Sequence, residues 1–244
     1  MTVCSDVGVA AGNIYYCEDY SWKYYVFKDR LEAGLLLASF IKQVIGDFEG
    51  YIIGLAAGGV PVAYAVSEAL KLPLDVIVVK KITYPWTSEA GFGAVALDGT
   101  LKYDVEAARS IGYTAGDVEE RARQVREYVV NRTIKLRGST NYENIRGEKV
   151  ILVDDGIATG YTIIAASTFL RNIGAASVTI ATPTSSIDGA LTAAREAERL
   201  LVLNMRTGPF YAVAEAYIEW HDVTEEEALE YIAKTRKHFK PQAM

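Results

Sequence analysis

The chain has 244 residues, 50% of them hydrophobic, enough for one large core with an inserted subdomain. A formal charge of −6 argues against non-specific nucleic-acid binding, and no apolar run approaches the roughly 18 residues of a membrane span. The first residues lack the basic segment and apolar core of a secretory signal. Cys4 and Cys17 match no metal spacing and make no disulfide framework, so a reduced, cytoplasmic protein is expected.

Residues 1–26 are aromatic and irregular, with Tyr15, Tyr16, Tyr20, Trp22, Tyr24 and Tyr25, and read as a packed N-terminal extension. A helix opens near Asp29, a plausible N-cap with Glu32 at the capping-box position, and runs to about Val44. Tyr51–Leu55 reads as a strand, Ala56, Ala57, Gly58 and Gly59 as a loop, and Val60–Leu70 as a helix. Leu74–Val79 is a second apolar strand with Lys80 and Lys81 at its end. A loop from Tyr84 to Ala90 precedes a hairpin, Gly91–Leu97 and Thr100–Tyr103, turned at Asp98-Gly99. The Gly-x-Gly at 91 and 93 is not a dinucleotide fingerprint, since no helix follows and a third glycine is absent.

Helices are predicted over Val105–Ile111 and Asp117–Ile134, the second carrying a mixed-charge solvated face. Arg132, Lys135 and Arg137 are less balanced by acids and are candidates for added positive potential. Residues 104–147 read as an insertion in a parallel sheet. Further on come a strand at Ser177–Ala181, a turn at Thr182–Ser186, a helix at Ile187–Glu198 and a strand at Leu200–Leu203. Phe210–Val213 and Tyr217–Trp220 read as short strands. The last helix starts near Thr224, which forms a capping box with Glu227. His221 and His238 have no ligand spacing and read as structural or solvated.

The stretch that organises the chain is Val150 to Thr162. Four apolar residues, Val150–Val153, run without alternation into Asp154 and Asp155, as a central parallel strand covered on both faces would. Gly156, Ile157, Ala158, Thr159, Gly160, Tyr161 and Thr162 then form a short loop that leads into an alanine-rich helix. Carboxylates at the carboxyl end of such a strand, beside a helix N-terminus that attracts anions, suit a ligand bearing both hydroxyls and a phosphate. This run closely resembles the 5-phosphoribosyl-1-pyrophosphate (PRPP) signature of the type I phosphoribosyltransferases. The Phe27-x-Asp-Arg-x-Glu-Ala-Gly34 string and the "DDGIATG" form of the motif resemble one predicted phosphoribosyltransferase family in that superfamily.

The resemblance implies an α/β fold of the type I phosphoribosyltransferase kind: a central, mostly parallel sheet flanked by helices, with a helical and hairpin insertion and a small hood. The domain would span 27–223, with the insertion at about 104–147 and hood elements at about 205–222. Residues 224–244 would form a C-terminal helix. It implies transfer of a 5-phosphoribosyl group from PRPP to a nitrogenous acceptor, or its phosphorolytic removal, through an oxocarbenium-like transition state.

By the same resemblance Asp154 and Asp155 would take the ribose hydroxyls, residues 156–162 the 5-phosphate, and Ala56–Gly59 with Lys80 and Lys81 the pyrophosphate. Lys81 is the preferred catalytic cation. Mg²⁺ would be the cofactor, held mainly through PRPP itself. Relatives often carry a basic residue where this chain has Ala57, and some carry an aspartate general base where it has Ala158. Tyr161 occupies a variable position and would offer its amide. The loop at 84–90 would close over the reacting centre. A homodimer is the expected assembly. The alternative is a non-catalytic protein that binds PRPP or a nucleotide as a regulator.

Overall fold

The computed structural model describes residues 3–87, 90–208 and 211–238. In chain order the elements are β1 (Val7–Ala10), β2 (Ile14–Cys17), α1 (Arg30–Ile45), β3 (Tyr51–Ala56), α2 (Gly59–Leu70), β4 (Leu74–Thr83), β5 (Gly91–Ala96), β6 (Leu101–Tyr103), α3 (Val105–Ser110) and α4 (Ala115–Arg137). After a short 3₁₀ turn follow β7 (Lys149–Val153), α5 (Tyr161–Asn172), β8 (Ser177–Ser186), α6 (Ile187–Ala194), β9 (Arg199–Arg206), a second 3₁₀ turn (Val213–Ala216) and α7 (Glu225–His238).

The apolar runs become the inner strands of one sheet because only a strand covered on both faces can hide every side chain. Among the described residues the sheet has nine strands, in the order β1-β2-β9-β8-β7-β3-β4-β5-β6. Neighbours from β2 across to β4 pair in parallel, and the two edges are antiparallel hairpins. Alternation splits the strands between two layers. Ile53, Leu55, Val150 and Leu152 meet α5 and α6 on one face. Ile52, Ile151 and Val153 meet Leu37, Phe40 and Ile41 of α1 and Val62 and Val66 of α2 on the other. A third cluster joins α4 and α7 to β4 and β5 through Val129, Leu136, Ile232, Val78 and Phe92. Among the described residues no helix is long and apolar enough to cross a membrane.

Several sequence expectations change. The N-terminal extension is not irregular: β1 and β2 form a hairpin, and β2 pairs in parallel with β9 through Tyr15 and Leu201. Cys4 and Cys17 are not free thiols but form a disulfide, with their Cα atoms 5.7 Å apart. Pairing β2 into the sheet brings Cys17 to where the chain before β1 returns, which sequence spacing alone does not reveal. Within residues 104–147, α4 packs over β4 and β5.

The three cations near the end of α4 are also spoken for. Arg132 and Lys135 pair with Glu225 at 2.9 and 2.5 Å, and Arg137 grips Asp75 through Nε and Nη2 at 2.8 and 2.9 Å. β4 runs past Val79 to Thr83, so Lys80 and Lys81 lie within a strand rather than after it. β8 likewise continues through Pro183, which makes no ladder pair between Thr182 and Thr184. The two short strands expected near 210–220 are a 3₁₀ turn and a single bridge between Tyr217 and Phe27; Phe210 lies outside the described residues. The C-terminal helix is described to His238, whose side chain, like residues 239–244, lies outside the described part.

Arg137 and Asp75 are 10% and 13% exposed, so removing one partner strands a dehydrated charge. Arg137→Ala should lower unfolding free energy by about 3 kcal/mol. Urea denaturation checks this, and a loss within experimental error would show that hydrophobic packing alone holds α4 on β4.

Candidate active site at the sheet's switch point

Chain connections leave β3 and β7 in opposite directions: α2 leads to β4 on one side and α5 leads to β8 on the other. Their carboxyl ends therefore open a crevice, the position where open parallel sheets hold ligands. The register, Gly54 beside Val153, brings the two following loops face to face. A Cβ on Gly58 would stand 2.3 Å from Asp155 Oδ2, and one on Gly59 would stand 2.8 Å from the Val153 carbonyl oxygen. Only glycine allows the two loops to approach this closely. The Ala56–Ala57 peptide at the loop's start is cis.

Two helices begin here. α2 starts at Gly59 and α5 at Tyr161, and neither has a side chain capping its first turn. Their N-termini are thus a source of backbone donors and partial positive charge. The loop at 156–160 is shaped from the β8 side. Ile157 N–H donates to the Thr184 carbonyl at 3.0 Å, and Ser186 Oγ donates to the Ala158 carbonyl at 2.6 Å. Gly160 takes φ +85° beside the Gly189 carbonyl, a conformation that suits glycine. Ala158 and Thr159 are exposed at the tip, and Gly156 lies under Val213 of the second 3₁₀ turn. Tyr161 packs its ring on the core, and burial followed by the nearby Asp104 carboxylate raises its hydroxyl pKa. Its amide and that of Thr162 lie in the first turn of α5.

Strand alternation divides the lysines. Lys81 follows Ile77 and Val79 onto the α5 face, the face that Asp154 reaches after Val150 and Leu152. Lys80 follows Val76 and Val78 to the opposite face, where Nζ sits 4.7 Å from the centroid of the Tyr128 ring. The expectation that both lysines enter one crevice is therefore corrected: the fold brings Lys81 to the acidic pair and turns Lys80 away.

The acidic pair is asymmetric. Asp154 Oδ1 accepts from the Asp155 N–H at 3.0 Å. Burial first, and then the Asp155 charge, push the Asp154 carboxyl well above its usual range; Lys81 and Arg30 work against the shift. Asp155 instead has a cation in contact, Arg30 Nε at 2.9 Å. Its carbonyl accepts from the Tyr217 hydroxyl at 2.6 Å, and burial followed by the Asp155 charge raises that phenol's pKa well above normal.

Sequence reading missed Arg30, treating its segment as a capped helix. The cap is real, since Asp29 Oδ1 accepts from Glu32 N–H at 2.9 Å. The one available signal was a charged residue directly after the cap of a helix that had to pack on the sheet. His221, expected to be structural or solvated, lies 3.0 Å from Glu227, and its carbonyl accepts from Arg30.

The hood side is built from Tyr211, Thr184, Asn204 and Arg206. Thr184 Oγ1 donates to Asn204 Oδ1 at 2.8 Å, and the Tyr211 hydroxyl lies 3.0 Å from the same Thr184 oxygen. Burial pushes the Tyr211 hydroxyl up to about 12. Arg206 is buried between the Tyr24 and Tyr211 rings and pairs with Glu215 at 3.1 Å. In the expected closing loop Tyr84 stacks on Trp86 and meets Phe92 at a tilt, and Trp86 is 71% exposed; Ser88 and Glu89 lie outside the described residues.

A model of the phosphoribosyl transferase domain matches residues 29–198, most of the chain and both crevice loops. The chain belongs to that family and has the type I phosphoribosyltransferase fold. A Mycobacterium tuberculosis protein named "Putative phosphoribosyl transferase" is 32% identical over 216 residues, covering 88% of this chain. The chain spans 48% of that relative's length. A crystal structure of a Thermus thermophilus protein is 30% identical and superposes with a TM-score of 0.68, covering 85% of this chain and 98% of the other.

The raised Asp154 carboxyl sets a pH slope. The folded chain keeps a proton where the unfolded chain has released it, so stability falls as pH rises from the ordinary carboxylate range toward the raised folded value. Asp154→Asn removes that proton uptake and should gain stability relative to wild type as pH rises above the ordinary carboxylate range. Denaturation midpoints across that rise check it; a pH-independent difference would place the retained proton elsewhere.

Proposed function

We propose that the chain is a phosphoribosyltransferase that uses PRPP and Mg²⁺ to transfer a 5-phosphoribosyl group to a nitrogenous acceptor, or removes one by phosphorolysis. The observation that supports it most is the meeting of Asp154 and Asp155 with the Gly58–Gly59 loop at the switch point, between two helix N-termini lacking side-chain caps. In this reading the pair accepts the ribose hydroxyls, the one group of a sugar phosphate that a carboxylate suits and an amide loop does not. Residues 156–162 take the 5-phosphate through backbone N–H groups and the Thr159 and Thr162 hydroxyls. Ala56–Gly59 and Lys81 take the pyrophosphate. Negative charge from the pair also favours the cationic ribose ring that develops as the C1–O bond breaks. Ala158 offers no general base, which disfavours acid–base help to the acceptor from that position.

The donor set fits Mg²⁺ brought in by its ligand. Among the described residues the single group of three ligand-type side chains is Cys4, Cys17 and Asp19, and its thiols are bonded to each other. A hard ion that keeps waters and binds phosphate oxygens needs no all-protein cage. Such an ion would neutralise the departing pyrophosphate. Asp154 and Asp155 and the helix N-termini would orient that complex. The proposed setting is cytoplasmic, although with Cys4 and Cys17 bonded it no longer rests on free thiols.

Ala57 favours a second reading. Without a cation there, the pyrophosphate clamp keeps its amides and Lys81 but loses a charge, which suits a regulator that binds PRPP without turnover. One assay separates the two: PRPP, Mg²⁺ and a panel of purine and pyrimidine bases, read as pyrophosphate release. Release with one base supports the enzyme, and binding without release across the panel supports the regulator. Asp155→Asn should reduce affinity or turnover at least roughly tenfold, the scale of a charged hydrogen bond. Unchanged PRPP affinity and turnover in this variant would sink the assignment.

A further inference from the structure

The first residue of α1 places a guanidinium against the acidic pair. Arg30 is 6% exposed, and its partner Asp155 has 13% of its side chain exposed. Every described contact of Arg30 leads to one of two places. Nε donates to Asp155 Oδ2 at 2.9 Å. Nη1 donates to the His221 carbonyl at 2.8 Å, and the guanidinium lies 3.8 Å from the centroid of the Trp220 ring and 5.9 Å from that of Tyr217. Tyr217 closes the circuit by donating its hydroxyl to the Asp155 carbonyl at 2.6 Å. The 217–221 segment is in turn strapped to the start of α1: Ile218 N–H donates to the Phe27 carbonyl and Glu219 N–H to the Lys28 carbonyl, both at 2.8 Å.

A helix packed on a sheet does not need a buried arginine in its first turn, since an apolar residue would fill the place at less cost in dehydration. Here the buried pair fixes geometry. Arg30 Nε holds Asp155 Oδ2, and a side chain at position 58 would collide with the same carboxylate, so the glycine keeps the space beside it open. We propose that Arg30 is a positioning residue that fixes the rotamer of Asp155 and ties it to the 217–221 hood segment, so that this carboxylate and the acceptor-side wall move as one unit. The ligand named in the test rests on the phosphoribosyl reading; the coupling itself does not. Among the described residues, the charged and titratable groups facing the acidic pair include Arg30 from α1, Lys81 from β4, and Tyr217 and Tyr211 from the hood.

The test is calorimetric titration of PRPP with Mg²⁺ onto the full chain across pH. Arg30→Gln should weaken binding roughly tenfold to a hundredfold, the range of a charged hydrogen bond, and Arg30→Lys should recover part of it. Losing the guanidinium removes one of the charges that hold the Asp154 carboxyl down, so the acid midpoint of binding should move to higher pH in Arg30→Gln. A general packing defect would weaken binding without moving that midpoint. Trp220→Ala should weaken PRPP binding a few-fold in wild type and have no further effect in Arg30→Gln. Unchanged affinity and midpoint in Arg30→Gln, or additive effects with Trp220→Ala, would overturn the proposal. If wild type does not bind PRPP, the phosphoribosyl reading fails by itself. A thermal-unfolding cycle of Arg30→Gln and Asp155→Asn then decides the coupling: non-additive Tm shifts support it and additive shifts overturn it.

Discussion

The structure depends on how closely two backbones approach at the switch between β3 and β7. The Gly58–Gly59 loop lies against the Val153 carbonyl and the acidic pair with no room for a side chain. That approach puts the N-terminus of α2 beside Asp155 and leaves the N-terminus of α5 one loop away. Everything chemical in the crevice inherits its position from this contact: the carboxylates from β7, Lys81 from the next strand but one, and Arg30 from the helix packed beneath. A methyl group at either glycine would push the loops apart before it disturbed any core residue.

Charge has to be concentrated locally in a chain of net −6 that is read as binding a polyanion. The structure shows which cations are left for that task. Arg132, Lys135 and Arg137 are paired with acids that fasten α4, and Lys80 rests on an aromatic ring of the same helix. Lys81 and the two uncapped helix ends stay with the acidic pair. In the proposed reading, backbone partial charges would take over where the sequence has Ala57, because aligned peptide dipoles attract anions without a side chain.

The N-terminal hairpin and the hood form one continuous support. Tyr20, Phe27, Tyr217 and Trp220 follow one another at ring-centroid distances of 5.8, 5.7 and 5.1 Å, and the last ring covers Arg30. Asn204, in β9, holds the carbonyls of Tyr20 and Lys23, which ties the start of the chain to the strand that leads into the hood. Among the aromatics of residues 1–26, Tyr20 carries packing from the sheet edge to the crevice, whereas Trp22, Tyr24 and Tyr25 are 49%, 54% and 61% exposed, so the expected packing of the whole segment is only partial.

The amino-acid sequence was enough to place the parallel strands, the glycine loop, the acidic pair and the loop leading into α5, because each is a local pattern: a fully apolar run, two glycines, two adjacent acids, a small-residue turn. Those signals survive without knowledge of neighbours. It also supplied Asp29 as a helix cap, since capping acts within the first turn. Only the tertiary structure decided which lysine enters the crevice, because a strand that continues past Val79 turns one side chain in and the next out. Only it joined Cys4 to Cys17, made the N-terminal segment a strand pair, and replaced the strands expected near 210–220 with a turn and a bridge. Arg30 was legible only as a charge beside a helix cap, for the same reason. Its meaning comes from Asp155 and from the His221 carbonyl, 125 and 191 residues away, and no local pattern records a contact made across that distance.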